Sequence, residues 1–324
     1  MFTEYGGEKK MGIASLNLLS EEDIEQIHQA TVKVLEETGV RIHYDKALDI
    51  IENNGGIVDR DTKIVKFPEH VINEFLGKVP GYDDYELYNR SGEKWKRRNV
   101  SYVTFDQGTR YTDRDMTTRP STKKDLEEIA IVADALDAID HHVPAVTADD
   151  VPNETAYLHE FEATVLNTEK PLYGGPHDPE IADELIKMAS VIAGGKEKLA
   201  NKPFLEGGMC PVSPLQHSKP ELQVLFKFAR EGLPILVLSQ AMAGGSAPIT
   251  LPGTLVVHNA EVLSGIIIMQ MVNPGVTTTY GSSTTTMDMR LGSCPVGAPE
   301  TGLLSAAVFQ LAKYYDLPAV VAGS

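Results

Sequence analysis

Val276-Thr-Thr-Thr-Tyr280-Gly281-Ser282-Ser283 follows the break Pro274-Gly275 and begins with β-branched residues. This order predicts a buried strand that ends near Gly281 and continues as a loop of hydroxyl side chains. A short apolar run at or after a proline, ending in small or polar residues, recurs at Pro171, Pro203, Pro234 and Pro318. Helix-like segments separate most of these runs. Such repeated units indicate parallel strands in an α/β fold, with the functional site at their carboxyl ends.

Counted from Ser101, the pattern predicts seven strands with helices between them. The strands are predicted at residues 101–105, 141–146, 171–173, 204–206, 235–239, 276–280 and 319–322. The helices are predicted at residues 121–136, 153–168, 179–193, 220–231, 251–272 and 299–315. Regular units of roughly 30–40 residues favour a (β/α)8 barrel over an open doubly wound sheet. We therefore predict a TIM-type barrel that is incomplete, because eight strands are needed to close it.

Residues 1–100 show a different pattern, which predicts a small N-terminal α+β extension before a barrel domain at 101–324. Ser20, followed by three acidic residues, is typical of a helix N-cap, and Gly39 is typical of a helix end. Further helices are predicted at 45–54 and 68–79, and strands at 64–67 and 85–88. Because the extension has no catalytic signature, we interpret it as a scaffold or an oligomer-contact domain.

Composition excludes several classes of partner. The 324 residues carry a formal net charge of −17, which disfavours nucleic acid or an anionic membrane and is compatible with a cationic or neutral substrate. The two cysteines, Cys210 and Cys294, form neither a disulfide framework nor a zinc motif. The N-terminus lacks the apolar core of a signal peptide, and the apolar stretch 262–272 is too short to span a bilayer. We therefore expect a cytoplasmic protein.

Polar and aromatic side chains follow the predicted strands at their carboxyl ends. The candidate substrate-binding residues are Tyr173, Glu206, Gln240, Tyr280 and Asp288. Just beyond them lie His177, Met209, Cys210, Met242 and Met287. In a barrel these side chains converge at one mouth. Aromatic faces with an acidic neighbour suit a cationic amine, which they attract through cation–π contacts and charge neutralisation.

Other kinds of site are less well supported by the sequence. His141 and His142 are adjacent on a strand and point to opposite faces, so at most one could reach a metal, and we predict no metal site. Ser246 and Ser282 lack the Gly-x-Ser-x-Gly elbow of a hydrolase. The pairs at 174–175 and 244–245 could wrap a phosphate, but no complete phosphate-loop motif supports this.

Several motifs together resemble the trimethylamine methyltransferase family. The longest is Leu238-Ser-Gln-Ala-Met-Ala-Gly-Gly-Ser-Ala-Pro-Ile-Thr-Leu-Pro-Gly253, which continues through Asn259-Ala-Glu261. The others are Tyr173-Gly-Gly, Cys210-Pro-Val-Ser213-Pro214-Leu215, Pro299-Glu300 and Tyr314-Tyr315-Asp-Leu-Pro318. The resemblance covers nearly the whole chain and is strongest in 171–324. It implies a (β/α)8 barrel that moves a methyl group from a methylated amine to the Co(I) of a cognate corrinoid (cobalamin) protein.

The resemblance also implies further expectations. Trimethylamine would be the substrate and dimethylamine the product, in methanogenesis from methylamines, with no cofactor bound directly and a homo-oligomer at full length. Pyrrolysine, encoded by an in-frame UAG, would follow Ser324. We therefore expect a chain that is truncated at that codon and lacks its catalytic electrophile, so the catalytic residue stays unknown. Two alternatives remain open: a quaternary-amine enzyme that acts on glycine betaine without pyrrolysine, and a non-catalytic barrel fragment that binds an amine.

Overall fold

The computed structural model describes residues 17–95, 98, 100–104 and 108–322, without the side chain of Met209. Phe105, the predicted end of the first barrel strand, and Ser324 lie outside this part of the chain. The N-terminal elements are α1 (Glu21–Lys33), β1 (Val40–Ile42), α2 (Asp45–Asn53), β2 (Ile57–Asp59), β3 (Ile64–Lys66) and α3 (Glu69–Leu76). Ser20 caps α1 as predicted, since its side chain accepts from the Asp23 amide while Asp23 accepts from the Ser20 amide.

The next elements are a hairpin of β4 (Arg110–Thr112) and β5 (Thr118–Pro120), followed by α4 (Lys123–Ala135) and α5 (Ala156–Val165). The chain then continues with β6 (Leu172–Gly174), α6 (Pro179–Ala193), α7 (Lys196–Asn201), β7 (Leu205–Met209), β8 (Gln216–His217), α8 (Lys219–Arg230), β9 (Ile235–Ser239), β10 (Met242–Ala243), α9 (Leu251–Val272), β11 (Thr278–Ser282), β12 (Thr285–Thr286), α10 (Pro299–Tyr314) and β13 (Ala319–Val321). The predicted helices are therefore present. The β4–β5 hairpin and the short helix α7 were not predicted.

The main sheet has five strands in the order β13-β11-β9-β7-β6, and every neighbouring pair is parallel. Because spatial order follows chain order, with helices between the strands, the sheet has the winding of a (β/α)8 barrel. It curls as a half-barrel, which confirms the predicted α/β class and barrel type.

Two of the seven predicted strands, at 101–105 and 141–146, are present as isolated bridges and not as strands, and Val146 also bridges Gly108 in parallel. His142 bridges Leu172 of β6, and Val103 bridges His141, both in parallel. The side chain of Thr104 explains the difference, since its hydroxyl donates to the Val143 carbonyl at 2.9 Å and accepts from the Val143 amide at 2.8 Å. This side chain takes the place of a backbone ladder. The strand predicted at 85–88 is likewise reduced to one antiparallel bridge, Tyr88–Lys94.

Helix α9 lies at the centre of the fold and corrects the prediction about membrane length. It has 22 residues, which is long and apolar enough to cross a bilayer by length and composition, and it is the one such helix in the described part of the chain. However, 83% of its most apolar window is buried inside the protein. It packs against α1, α2, α3, α8 and α10 and against β9 and β11. A helix that is apolar on all sides and surrounded in this way is a core helix.

The N-terminal elements and the barrel strands share one hydrophobic cluster. Leu35, Ile51 and Phe75 of the extension belong to the same buried cluster as Val237 of β9 and Ile266 of α9. Strand β1 also pairs in parallel with β8. The division into domains at residue 100 stays a prediction, and the extension packs on α9 as part of this shared core.

Candidate functional site

The two faces of the curled sheet have different neighbours. A methyl group added at Gly207 would lie 2.3 Å from the Phe228 ring of α8, so Gly207 faces the helices. Since side chains alternate along a strand, the adjacent Glu206 and Gly208 face the inner surface. Tyr173 is the cross-strand neighbour of Glu206 and shares that inner face. The register therefore brings together two of the five predicted site residues.

Glu206 is a buried carboxyl group with two hydroxyl donors. It is 4% exposed, and its Oε1 accepts from Thr279 Oγ1 at 2.6 Å. Its Oε2 accepts a longer bond of 3.4 Å from the Tyr85 hydroxyl. Burial raises the pKa of Glu206 to about 7, and the two hydroxyl donors oppose that rise. The charge on this carboxyl group therefore changes near neutral pH, where a bound cation would favour the ionised form.

The ring of Tyr173 lies over glycine residues of the inner face. A methyl group at Gly208 would lie 2.5 Å from Tyr173 Cε2 and 2.7 Å from its hydroxyl oxygen. A methyl group at Gly175 would lie 3.1 Å from the same oxygen and 2.5 Å from the Gly208 carbonyl oxygen. The glycines thus leave room for the ring. An aromatic side chain beside a buried carboxyl group is the combination that binds ammonium groups.

Tyr280, the third predicted residue, lies on the other face of the sheet. Its register partner on β9 is Val237, whose side chain packs against Gly265 of α9. Tyr280 is fully buried, donates to Asn259 Oδ1 at 2.7 Å and stacks on Tyr315. Burial raises the pKa of its phenol well above the usual value. The structure therefore separates Tyr280 from the pair on the inner face.

Gln240 and Asp288 lie in loops that follow the carboxyl ends of β9 and β11. Gln240 is exposed. Asp288 is half-buried, and its Oδ1 accepts from the amides of Arg290 and Leu291 at 2.8 and 3.2 Å, so it organises a turn. Their roles as substrate contacts stay predictions.

The residues named beyond the strand ends also lie in these loops. His177 and Cys210 are exposed, and Met242 and Met287 are half-buried. The Cys294 thiol contacts the Met242 sulfur at 2.9 Å. The side chain of Met209 is outside the described part of the structure.

Glu261 of α9 holds two of the loops at the carboxyl ends, and the sequence reasoning missed it. Its carboxylate accepts from Ser239 Oγ at 2.6 Å, Ser213 Oγ at 2.7 Å and the Leu215 amide at 2.9 Å. Burial raises the pKa of Glu261, and these three donors oppose the rise. A charged residue within a long apolar helix was the available signal, because such a residue is rarely buried without partners.

The alternative sites do not assemble. His142 is wholly buried, and neither of its ring nitrogens has a hydrogen-bond partner among the described residues. Burial lowers its pKa to about 4. Within the described residues, no three or more His, Cys, Asp or Glu side chains gather as a metal ion would require.

The backbone amides of the glycine loops also make hydrogen bonds within the protein. The amide of Gly175 donates to the Tyr157 hydroxyl at 2.5 Å, and those of Gly244 and Gly245 donate to the carbonyls of Ala247 and Met242. These amides are therefore directed into the protein and not toward a phosphate.

A serine–histidine–glutamate arrangement exists elsewhere and is enclosed. His217 Nε2 lies 2.9 Å from Ser264 Oγ, and its Nδ1 lies 3.0 Å from Glu221 Oε1. All three side chains are fully buried, and Ser264 donates to the Glu261 carbonyl. A substrate cannot reach this serine, so the arrangement joins β8, α8 and α9 structurally.

Comparison with known proteins agrees with the fold and with the motifs. The family model described as trimethylamine methyltransferase (MTTB) matches residues 6–324. The trimethylamine methyltransferase MttB of Methanosarcina thermophila is 40% identical over 321 residues, which are 95% of this chain and 65% of that protein. MttB of Desulfitobacterium hafniense is 36% identical, over 94% of this chain and 62% of that protein.

Two further relatives widen the comparison. A glycine betaine methyltransferase of Desulfitobacterium hafniense is 30% identical, over 93% of this chain and 63% of that protein. The crystal structure of the Methanosarcina barkeri monomethylamine methyltransferase superposes with a TM-score of 0.55 at 14% identity, over 92% of this chain and 65% of that one. The chain therefore spans slightly less than two thirds of the length of these relatives. By its family match and its relatives, the chain belongs to the trimethylamine methyltransferase family.

Proposed function

We propose that the protein transfers a methyl group from trimethylamine to the Co(I) of a cognate corrinoid protein and releases dimethylamine. The observation that carries this proposal is the pair of cross-strand neighbours on the inner face of the sheet, Tyr173 and the buried Glu206. The names of the relatives at 36–40% identity support the choice of trimethylamine. A homo-oligomer in the cytoplasm belongs to the same proposal.

The described residues would bind and orient the amine. Trimethylamine is largely protonated near pH 7, so the ionised Glu206 would neutralise its charge while the ring of Tyr173 contacts its methyl groups. Thr279 would fix the carboxylate through the 2.6 Å bond. When one methyl group leaves, the electron pair of the broken C–N bond stays on nitrogen.

The corrinoid would be held by its own protein and would supply the Co(I) nucleophile that receives the methyl group. In that division, the described residues of this chain would supply the contacts to the amine. The pyrrolysine that the resemblance implies would supply an electrophilic imine, and we assign that role to no residue of this chain. The work of this part of the protein would be to position the amine.

The test is methyl transfer by the full-length protein with reduced corrinoid protein, followed by the cobalt absorption spectrum and by dimethylamine release. We expect turnover with trimethylamine and, in Glu206→Gln, a loss of at least tenfold in kcat/KM. Glu197 is exposed on α7, so Glu197→Gln is the matched control and should keep wild-type turnover. Amine binding without methyl transfer would refute the proposal and favour the non-catalytic alternative.

Glycine betaine is the second candidate substrate, because the relative at 30% identity is a glycine betaine methyltransferase. Its quaternary nitrogen has no N–H to donate to Glu206. Competition between the two amines in the same assay separates the candidates. Faster methyl transfer from glycine betaine would replace trimethylamine in the proposal.

A further inference from the structure

Residues 81–90 cross the amino-terminal edge of the curled sheet. The amide of Tyr82 donates to the carbonyl of Asp316, just before β13, at 2.8 Å. The amide of Tyr88 donates to the carbonyl of Pro203, before β7, at 3.0 Å. Farther on, Arg90 donates to the carbonyl of Glu169, before β6, at 3.0 Å. Since these acceptors precede three parallel strands, this segment closes the end of the sheet opposite the functional loops.

Tyr85 lies in the middle of this segment and reaches the candidate site. Its hydroxyl is 3.4 Å from Glu206 Oε2, on the inner face of the sheet. The Glu206 carboxyl group thus contacts Tyr85 from the extension and Thr279 from β11, and the cross-strand neighbour of Glu206 is Tyr173 of β6. Within the described residues, no charged side chain contributes to the ionisation of Glu206. Burial raises the pKa of this carboxyl group, and the two hydroxyl donors oppose that rise.

We propose that Tyr85 is a positioning residue, which holds the Glu206 carboxylate from the amino end of the sheet and so prepares it to receive an ammonium group. The inference rests on the proposed function for the role of Glu206. It gives the N-terminal extension a part in the site, in place of a scaffold role alone.

The geometry predicts how the two donors differ. A hydroxyl that donates to a carboxylate stabilises its ionised form, so its removal raises the pKa of Glu206. The bond from Tyr85 is longer than the bond from Thr279, 3.4 Å against 2.6 Å, and should matter less. We expect an upward shift of about half a unit in Tyr85→Phe and about one unit in Thr279→Val.

The experiment measures Glu206 ionisation directly in the whole chain. The infrared band of the protonated carboxyl group is followed from pH 5 to 9, and Glu206→Gln identifies the band that belongs to Glu206. Tyr88 is in the same segment and donates to Glu86 at 2.6 Å, so Tyr88→Phe is the matched control and should keep the wild-type midpoint. Thr279→Ser, which keeps a hydroxyl group, should also keep it.

A second readout is the pH profile of kcat/KM for trimethylamine in the full-length protein. A positioning role predicts that the acidic limb moves with the infrared midpoint in Tyr85→Phe, while kcat at high pH stays within about twofold of wild type. An infrared midpoint in Tyr85→Phe equal to that of wild type would overturn the inference, as would an equal shift in Tyr88→Phe. Because the infrared titration needs no amine, a shifted midpoint without methyl transfer would refute the proposed function and leave the role of Tyr85 intact.

Discussion

The buried carboxyl group of Glu206 makes a quantitative prediction about stability. The folded protein raises its pKa from 4.5 to about 7. Between these values the unfolded chain has lost the proton and the folded protein keeps it, so the free energy of unfolding falls as pH rises. At 1.36 kcal/mol per unit, this one group costs about 3 kcal/mol between pH 4.5 and pH 8.

Glu206→Gln isolates that contribution. The amide is close in size and stays neutral, so the mutant lacks the loss of stability between pH 4.5 and 8. The free energy of unfolding of the mutant minus that of wild type should therefore increase by about 3 kcal/mol over this range. The contributions of all other titrating groups cancel in this difference.

The assay is urea unfolding of both proteins at half-unit steps of pH, with Glu197→Gln as an exposed control. The control should follow wild type throughout. Parallel curves for wild type and Glu206→Gln would show that the carboxyl group does not bind its proton more tightly in the folded protein. That result would remove the electrostatic basis of the candidate site.

Two other substitutions test the packing that supports the site. Glu261→Leu leaves the half-buried Leu215 amide without its acceptor and should lower the free energy of unfolding by about 2–3 kcal/mol. Glu261→Gln keeps an acceptor and should lose less, and equal losses in urea unfolding would contradict the role of the carboxylate. Gly207→Ala places a methyl group 2.3 Å from the Phe228 ring and should lower the free energy of unfolding by about 1–3 kcal/mol. In the control Gly297→Ala the added methyl group has no heavy atom within 4 Å, so the loss should be under about 0.5 kcal/mol. An unchanged thermal unfolding of Gly207→Ala would show that the Phe228 ring moves away freely.

Helices and fold class could be predicted because their signals are local. The helices at 179–193 and 251–272 have the predicted bounds, since both have a proline in the first turn and a long apolar pattern. The sequence could not show that 101–105 and 141–146 form isolated bridges in place of strands. The backbone ladder is replaced by hydrogen bonds of one side chain, Thr104, which lies 39 residues from its partner Val143.

The candidate site was predicted in part. Tyr173 and Glu206 were expected at the carboxyl ends of neighbouring strands; the register makes them cross-strand neighbours, but Glu206 is the second residue of β7 (Leu205–Met209) and lies toward its amino end. Tyr280 was expected beside them, but it faces α9, and its neighbour Thr279 contacts Glu206 instead. A shift of one residue along a strand moves each side chain to the opposite face of the sheet. The threonine-rich run at 276–280 has no alternation of polar and apolar residues, so its pattern does not indicate which side chains face inward.

The sequence by itself determined the order of strands and helices, the parallel winding and the family, because these follow from periodicity, proline and glycine positions, and motifs read along the chain. Tertiary structure alone decided which side chains share the inner face and which distant groups control them. Tyr85 lies 121 residues from Glu206, and Glu261 lies 48 residues from Ser213. Such contacts depend on strand register and on how segments cross the ends of the sheet. The register and these crossings are set by the packing of the whole core around α9, and no local sequence pattern predicts them.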